Sequence, residues 1–142
     1  MTKWTFLFSF VFLFAACGGK QLSSNSSDTS GSDSTALPVF FCEDYIHHLD
    51  TFSFSANPQV STTFVFSNTG TKPLVIDSVE TSCGCTSATF PHTSVLPGDS
   101  GIINVTYHGR GMTNGFFEYS IILYTNTRFG EEFLLIDGTR VD

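Results

Sequence analysis

From Phe40 onwards the apolar residues recur with a period of two. Phe64 and Phe66 alternate with Thr63, Val65 and Ser67, and Leu74 and Ile76 with Val75, Asp77 and Val79. Further on, Ile103, Val105 and Tyr107 oppose Asn104 and Thr106, while Phe117, Tyr119, Ile121 and Leu123 oppose Glu118, Ser120 and Ile122. Successive side chains of a strand turn to opposite faces, so each run presents one face to a core. No stretch holds the 3.6-residue spacing of a helix. Turn signals part the runs: Asn68-Thr69-Gly70 ahead of Pro73, Pro97-Gly98-Asp99, the loop from His108 to Gly115, and Thr125 to Gly130. The pattern predicts strands near 45–54, 60–68, 73–81, 86–90, 101–108, 115–125 and 131–139. These are too closely spaced for crossover helices, which makes the sheets mainly antiparallel. The predicted fold class is all-β, an immunoglobulin-like antiparallel β-sandwich of about seven strands. A small closed barrel is the alternative. Trp4 is the only tryptophan, so the folded part lacks the strand-C Trp of antibody-type domains.

The first 38 residues follow other rules. Lys3 precedes a nearly unbroken apolar run from Trp4 to Ala16 that contains five of the sixteen Phe, and Ala15-Ala16 are small enough for a signal-peptidase pocket. That run is short of the roughly 20 apolar residues that span a bilayer. The stretch Leu13-Phe14-Ala15-Ala16-Cys17 is similar to the bacterial lipobox, whose Cys is acylated and becomes the first mature residue. The domain organisation expected is a lipoprotein signal peptide over 1–16, lipidated Cys17 with a flexible linker over 17–38, and the sandwich over 39–142. The linker carries seven Ser between Ser23 and Ser34 and has too little apolar surface to bury. Several acyl chains on Cys17 meet the two-signal requirement for stable anchoring. The expected partners are therefore the membrane, through Cys17, and an envelope protein or peptide. With no acidic run after Cys17, the expected location is the outer membrane, on its periplasmic face.

Charge narrows the function classes. The chain of 142 residues has 13 acidic and 6 basic side chains, a net charge of −7. Loss of Lys3 with the signal peptide makes it −7 − 1 = −8. A partner bound through its phosphates needs clustered Lys and Arg, so nucleic acid is excluded. The tetrad Gly98-Asp99-Ser100-Gly101 follows Pro97 and reads as a turn, because a protease of the type that carries G-D-S-G needs two barrels. Neither H-E-x-x-H, G-x-S-x-G nor G-x-x-x-x-G-K occurs, and no catalytic residue is assigned.

One series of motifs carries a family resemblance. Phe64-Val65-Phe66-Ser67-Asn68-Thr69-Gly70, Lys72-Pro73-Leu74-Val75-Ile76, Ser82-Cys83-Gly84-Cys85-Thr86, Pro97-Gly98 and Ile103-Asn104-Val105-Thr106-Tyr107 follow one another in that order. Over about residues 48–139 this resembles an uncharacterised domain family common in bacterial lipoproteins, with the pattern F-x-F-x-N-T-G, P-L-x-I, S-C-G-C-T and P-G. Where that family often has D-F-G, this chain has Leu49-Asp50-Thr51-Phe52. The resemblance implies an immunoglobulin-like sandwich akin to major-sperm-protein and PapD-like domains, and leaves the activity open.

The most specific local chemistry is Cys83-Gly84-Cys85. In an extended segment both sulfurs share a face, where they could hold a soft ion such as Cu(I), with His92 as the nearest imidazole. They could instead oxidise to each other as a redox pair if Gly84 permits a tight turn. With Cys17 lipidated, Cys42, Cys83 and Cys85 allow one bridge, so Cys42 joined to Cys83 or Cys85 is a further option. His47-His48 sit on opposite faces of a strand, unsuited to one metal. The function expected is a lipid-anchored envelope protein with a non-catalytic binding or structural sandwich. The alternative is a periplasmic thiol protein that uses the Cys-Gly-Cys loop for disulfide exchange or Cu(I).

Overall fold

A computed structural model describes residues 36–109 and 111–142. The expected signal peptide, Cys17 and nearly all of the expected linker lie outside them. Eight strands follow in order: β1 Phe40–Cys42, β2 Ile46–Ser53, β3 Val60–Asn68, β4 Ile76–Thr81, β5 Thr86–Thr89, β6 Ser100–Tyr107, β7 Gly115–Thr125 and β8 Glu131–Val141. They form two four-stranded sheets, β1-β3-β6-β5 and β2-β8-β7-β4. The fold is thus the all-β sandwich that the alternation predicts. One strand more than the seven expected is present, because the short β1 precedes them.

The core is built from the predicted inward positions. Phe64 and Phe66 on β3, Ile103, Val105 and Tyr107 on β6, and Ile121, Leu123, Leu134 and Ile136 on β7 and β8 are all buried between the sheets. Phe66 stacks on Phe40 at 4.7 Å and its ring lies over Gly101, its cross-strand partner, where a Cβ would come within 2.6 Å of Cε1. Leu74 makes a lone bridge to Val95 ahead of β4, which itself begins at Ile76. Leu37 and Pro38, within the expected linker, already meet the fold: Thr71 N–H donates to the Leu37 carbonyl, and Pro38 is buried.

Two features depart from a plain antiparallel alternation. β2 lies parallel to β8, and the crossover that a parallel pair requires is supplied by the intervening strands, of which β3, β5 and β6 lie in the other sheet, and not by a helix. Its register slips between His48 and Thr51, with Asp50 at φ 57°. Leu49 and Asp50 together oppose Gly138, a β-bulge whose backbone crowds that position: a Cβ there would lie 3.0 Å from the Asp50 carbonyl oxygen.

Glu132 sits at the opposite end of the sandwich, beside Leu37, Pro38 and Phe40. Burial pushes its carboxyl above the ordinary range, against the pull of the Thr127 hydroxyl that donates to it at 2.9 Å. The folded state therefore holds this proton more tightly than the unfolded chain. The resulting stability is full below the unfolded pKa of about 4.3 and is lost as pH rises through the higher folded value. Glu132→Gln keeps an acceptor for Thr127 and removes the charge. Urea unfolding should show the variant more stable than wild type at neutral pH, with the gap closing near pH 4.

Candidate functional site

A short strand beside a long one leaves backbone unpaired. β1 has three residues and pairs only with Phe66–Asn68, whereas β3 has nine and begins at Val60. In an antiparallel ladder alternate residues turn their N–H and C=O to alternate neighbours. Asn68 N–H donates to the Asp99 carbonyl, on the β6 side, and Thr69 N–H donates to the Val39 carbonyl, on the β1 side. By that alternation Ser61 and Thr63 aim their backbone groups away from β6, along an edge that no strand of the sheet covers. Beyond Cys42 the chain crosses to β2, and a groove of about 440 Å³ lies between this crossing and β3. Glu43, Asp44, His47, Thr63 and Val65 line it.

The side chains of Cys42 and His47 fix the groove's shape. The Cys42 thiol is 3.1 Å from the Asp44 carbonyl oxygen and 3.3 Å from that of Val65, and it closes the ladder where β1 stops. Burial pushes this thiol's pKa up, opposed by its hydrogen bond to the Asp44 backbone and reinforced by the Asp44 charge. His47 stacks on Phe64 at 3.9 Å with its Nδ1 2.6 Å from Thr62 Oγ1. His48 faces the other way, its Nδ1 2.7 Å from the Asp137 carboxylate.

At the other edge of the same sheet, the turn from β4 into β5 holds Cys83 and Cys85 joined as a disulfide, their Cα atoms 5.1 Å apart. Gly84 is exposed, Cys83 half-buried and Cys85 buried. The Cys85 N–H donates to Cys83 Sγ at 3.1 Å, and Thr86 N–H donates to the Cys83 carbonyl. Thr81 Oγ1 lies 3.0 Å from the Cys83 carbonyl oxygen, and His108 N–H donates to that of Cys85.

The structure brings two of the predicted site residues together and keeps the others apart. Cys42 is a free buried thiol on the β1 edge. Three strand spacings of about 4.8 Å separate that edge from β5, which rules out a bridge from Cys42 to either partner. His92 packs edge-on against Phe90 at 4.8 Å, and among the described residues no three His, Cys, Asp or Glu side chains cluster as a metal site. With the sulfurs bonded to each other there is no thiolate for Cu(I), so only the reduced loop offers one. Gly98-Asp99-Ser100-Gly101 runs from a turn into β6: Pro97 and Gly98 make the turn, with Gly98 at φ 85° and its N–H donating to the Asn68 carbonyl, and Ser100 and Gly101 open the strand. Lipidation at Cys17 falls outside the described residues. Sequence reasoning missed the groove because β1 is three residues long and its sequence, Phe40-Phe41-Cys42, is apolar throughout, so the burial of Phe40 and Cys42 on one face leaves no alternation to read.

Among solved structures, a protein of unknown function from Porphyromonas gingivalis W83 is similar, with a TM-score of 0.62 at 15% identity over 74% of this chain. The chain spans about half of that protein's length, 48%. The PapD-like domain 7 of human CEP192 matches with a TM-score of 0.56 at 7% identity, over 87% of this chain and 99% of that domain. The YadV chaperone matches with a TM-score of 0.55 at 11% identity, over 72% of this chain and 52% of that one. These likenesses show the fold, a β-sandwich that resembles PapD-like and immunoglobulin-like domains. No curated protein matches the sequence. A family model does match, over residues 45–140, which is most of the folded part, and the chain belongs to that family, the proteins of unknown function DUF1573.

Proposed function

We propose that this chain is a lipid-anchored envelope protein, tethered through acylated Cys17 to the periplasmic face of the outer membrane, whose sandwich binds an extended peptide by strand addition. The observation that carries the reading is the open edge of β3 from Val60 to Val65 beside a groove. An added strand would take up the backbone groups of Ser61 and Thr63, which the sheet leaves unpaired, and main-chain hydrogen bonds of this kind supply affinity without demanding one sequence. Glu43 and Asp44 set the preference: a peptide with Lys or Arg opposite them and apolar residues at alternate positions. Similarity to a chaperone and to a PapD-like domain supports a binding role for this architecture.

Thr63→Pro tests the edge. Its N–H faces away from β6, so proline removes no ladder bond and is tolerated as on other edge strands, but it blocks an incoming strand. Selection of ten-residue peptides from a display library on the full chain should enrich alternating sequences containing Lys or Arg. The substitution should abolish that binding while the urea midpoint moves by less than about 1 kcal/mol in stability. No enrichment, or binders indifferent to Thr63→Pro, would reject strand addition. Intact mass of membrane-extracted protein tests the anchor, with a chain starting at acylated Cys17 as the expected result and an unmodified N-terminus as the contrary one.

A further inference from the structure

A disulfide across one intervening residue restricts the unfolded chain little, because the entropic gain from a bridge grows with the loop it closes. Non-covalent bonds already hold this loop. Thr86 N–H donates to the Cys83 carbonyl, His108 N–H to the Cys85 carbonyl, and Ser82 N–H to the Ser120 carbonyl, all at 2.8–3.1 Å. Opening the bond would therefore leave the turn in place. The two sulfurs are also unequal. Cys83 is half-buried at the margin of the core, the more accessible of the two, while Cys85 is buried within it. A backbone N–H points at Cys83 Sγ from 3.1 Å, and Cys85 Sγ has only the Thr86 hydroxyl, at 3.9 Å. A donor aimed at sulfur favours its anionic form, the form that attacks or departs in exchange.

We infer that Cys83-Gly84-Cys85 is a thiol–disulfide exchange site that accepts two electrons from a protein dithiol, with Cys83 as the attacked sulfur and Cys85 as the buried partner. A substrate thiolate forms a bond to Cys83 Sγ. The Cys83–Cys85 bond breaks and its electron pair leaves on Cys85 Sγ, which takes a proton from solvent. The substrate's second thiol gives its proton to solvent and attacks the mixed disulfide at the substrate sulfur. The substrate departs oxidised, and Cys83 leaves as a thiolate opposite the Cys85 N–H. Two electrons move from the substrate's sulfurs to the pair, and the protons balance through solvent. This site is at the β5 edge and is independent of the open β3 edge.

The full chain, reduced with dithiothreitol, provides the test, with an aromatic disulfide such as dithiobis(nitrobenzoate) as the probe. Cys85→Ser should form a mixed disulfide through Cys83 at least about tenfold faster than Cys83→Ser does through Cys85. Its rate should reach half-maximum below the ordinary thiol pKa of about 8.5. Reduced wild type should release two equivalents of the aromatic thiol and return to the Cys83–Cys85 disulfide, with Cys42 untouched. Equal rates for the two variants would overturn the assignment. Should a variant fail to fold, the wild type still decides: dithiothreitol must open the bond, seen by alkylation and peptide mass, while the β-sheet circular dichroism persists. A bond that opens only on unfolding is a structural one and ends the proposal.

Discussion

Asn68→Asp is expected to destabilise the domain by about 3–5 kcal/mol, enough to unfold much of it at 37 °C. The side chain is fully buried and meets all of its hydrogen-bonding capacity in four contacts. Its Oδ1 accepts from Val39 N–H at 3.2 Å and Gly70 N–H at 3.0 Å, and its Nδ2 donates to the carbonyls of Lys72 at 2.7 Å and Val95 at 2.9 Å. One amide thus ties together the segment entering β1, the turn after β3 and the bridge of Leu74 to Val95. Aspartate sets a second oxygen against two carbonyl oxygens. As a carboxylate it is buried without a cation, and as an acid it can donate to only one of the two. Asn68→Ala loses all four bonds, including the two to Oδ1 that aspartate keeps, but sets no charge or second oxygen against the carbonyls, and should fall between the aspartate variant and wild type. Acid should partly rescue Asn68→Asp and leave Asn68→Ala unaffected. Urea unfolding at pH 7 and pH 4 checks both, and a loss below about 1 kcal/mol would mean that the backbone bonds at Thr69 and Thr71 hold the turn alone.

That residue also marks where sequence reading stops. Alternation placed Phe64, Phe66, Ile103, Val105, Ile121 and Leu123 in the core correctly, because a period of two is a local signal. Asn68 could be read only as part of a turn, since its role depends on Val39 and Val95, 29 and 27 residues away. The glycine of the same Asn-Thr-Gly turn behaves alike. A Cβ on Gly70 would meet the backbone of Leu37, Pro38 and Val39, so the incoming chain, invisible in the local pattern, dictates glycine there. The parallel pairing of β2 with β8 was beyond reach for a related reason, since strands far apart in sequence leave no turn to read. Cysteine count alone left Cys42, Cys83 and Cys85 with several pairings. Sheet order resolves them by placing β1 and β5 at opposite edges. The open edge of β3 follows from how far β1 extends, which is a length and not a pattern.

Tyr107→Ala should cost a comparable amount, about 3–5 kcal/mol, through the cavity it leaves. The ring is 1% exposed and stacks on Phe117 at 4.3 Å and Tyr119 at 5.7 Å, with Phe52 edge-on at 5.9 Å. Gly109 packs beneath it, where a Cβ would lie 2.9 Å from the ring, so the loop after β6 has closed around the aromatic group. Burial pushes the phenol's pKa up, Tyr119 adds to this, and the Arg140 guanidinium opposes it. Arg140 lies 4.2 Å over the Phe54 ring and donates to the Met112 carbonyl, which closes this end of the sandwich. Neighbours anchored in this way collapse little into a void, placing the loss toward the upper part of the range for large-to-small changes. Tyr107→Phe keeps the ring and should stay within about 1.5 kcal/mol of wild type. The pair of variants separates packing from the hydroxyl, and two results of similar size would refute the packing account. A second readout connects the core to the cysteine loop. Tyr107 pairs with Thr86 across the sheet, and the next residue, His108, holds the Cys85 carbonyl through its N–H. Loosening that wall should expose the deeper sulfur, so reduced Tyr107→Ala should alkylate at Cys85 several-fold faster than reduced wild type, with Cys83 little changed.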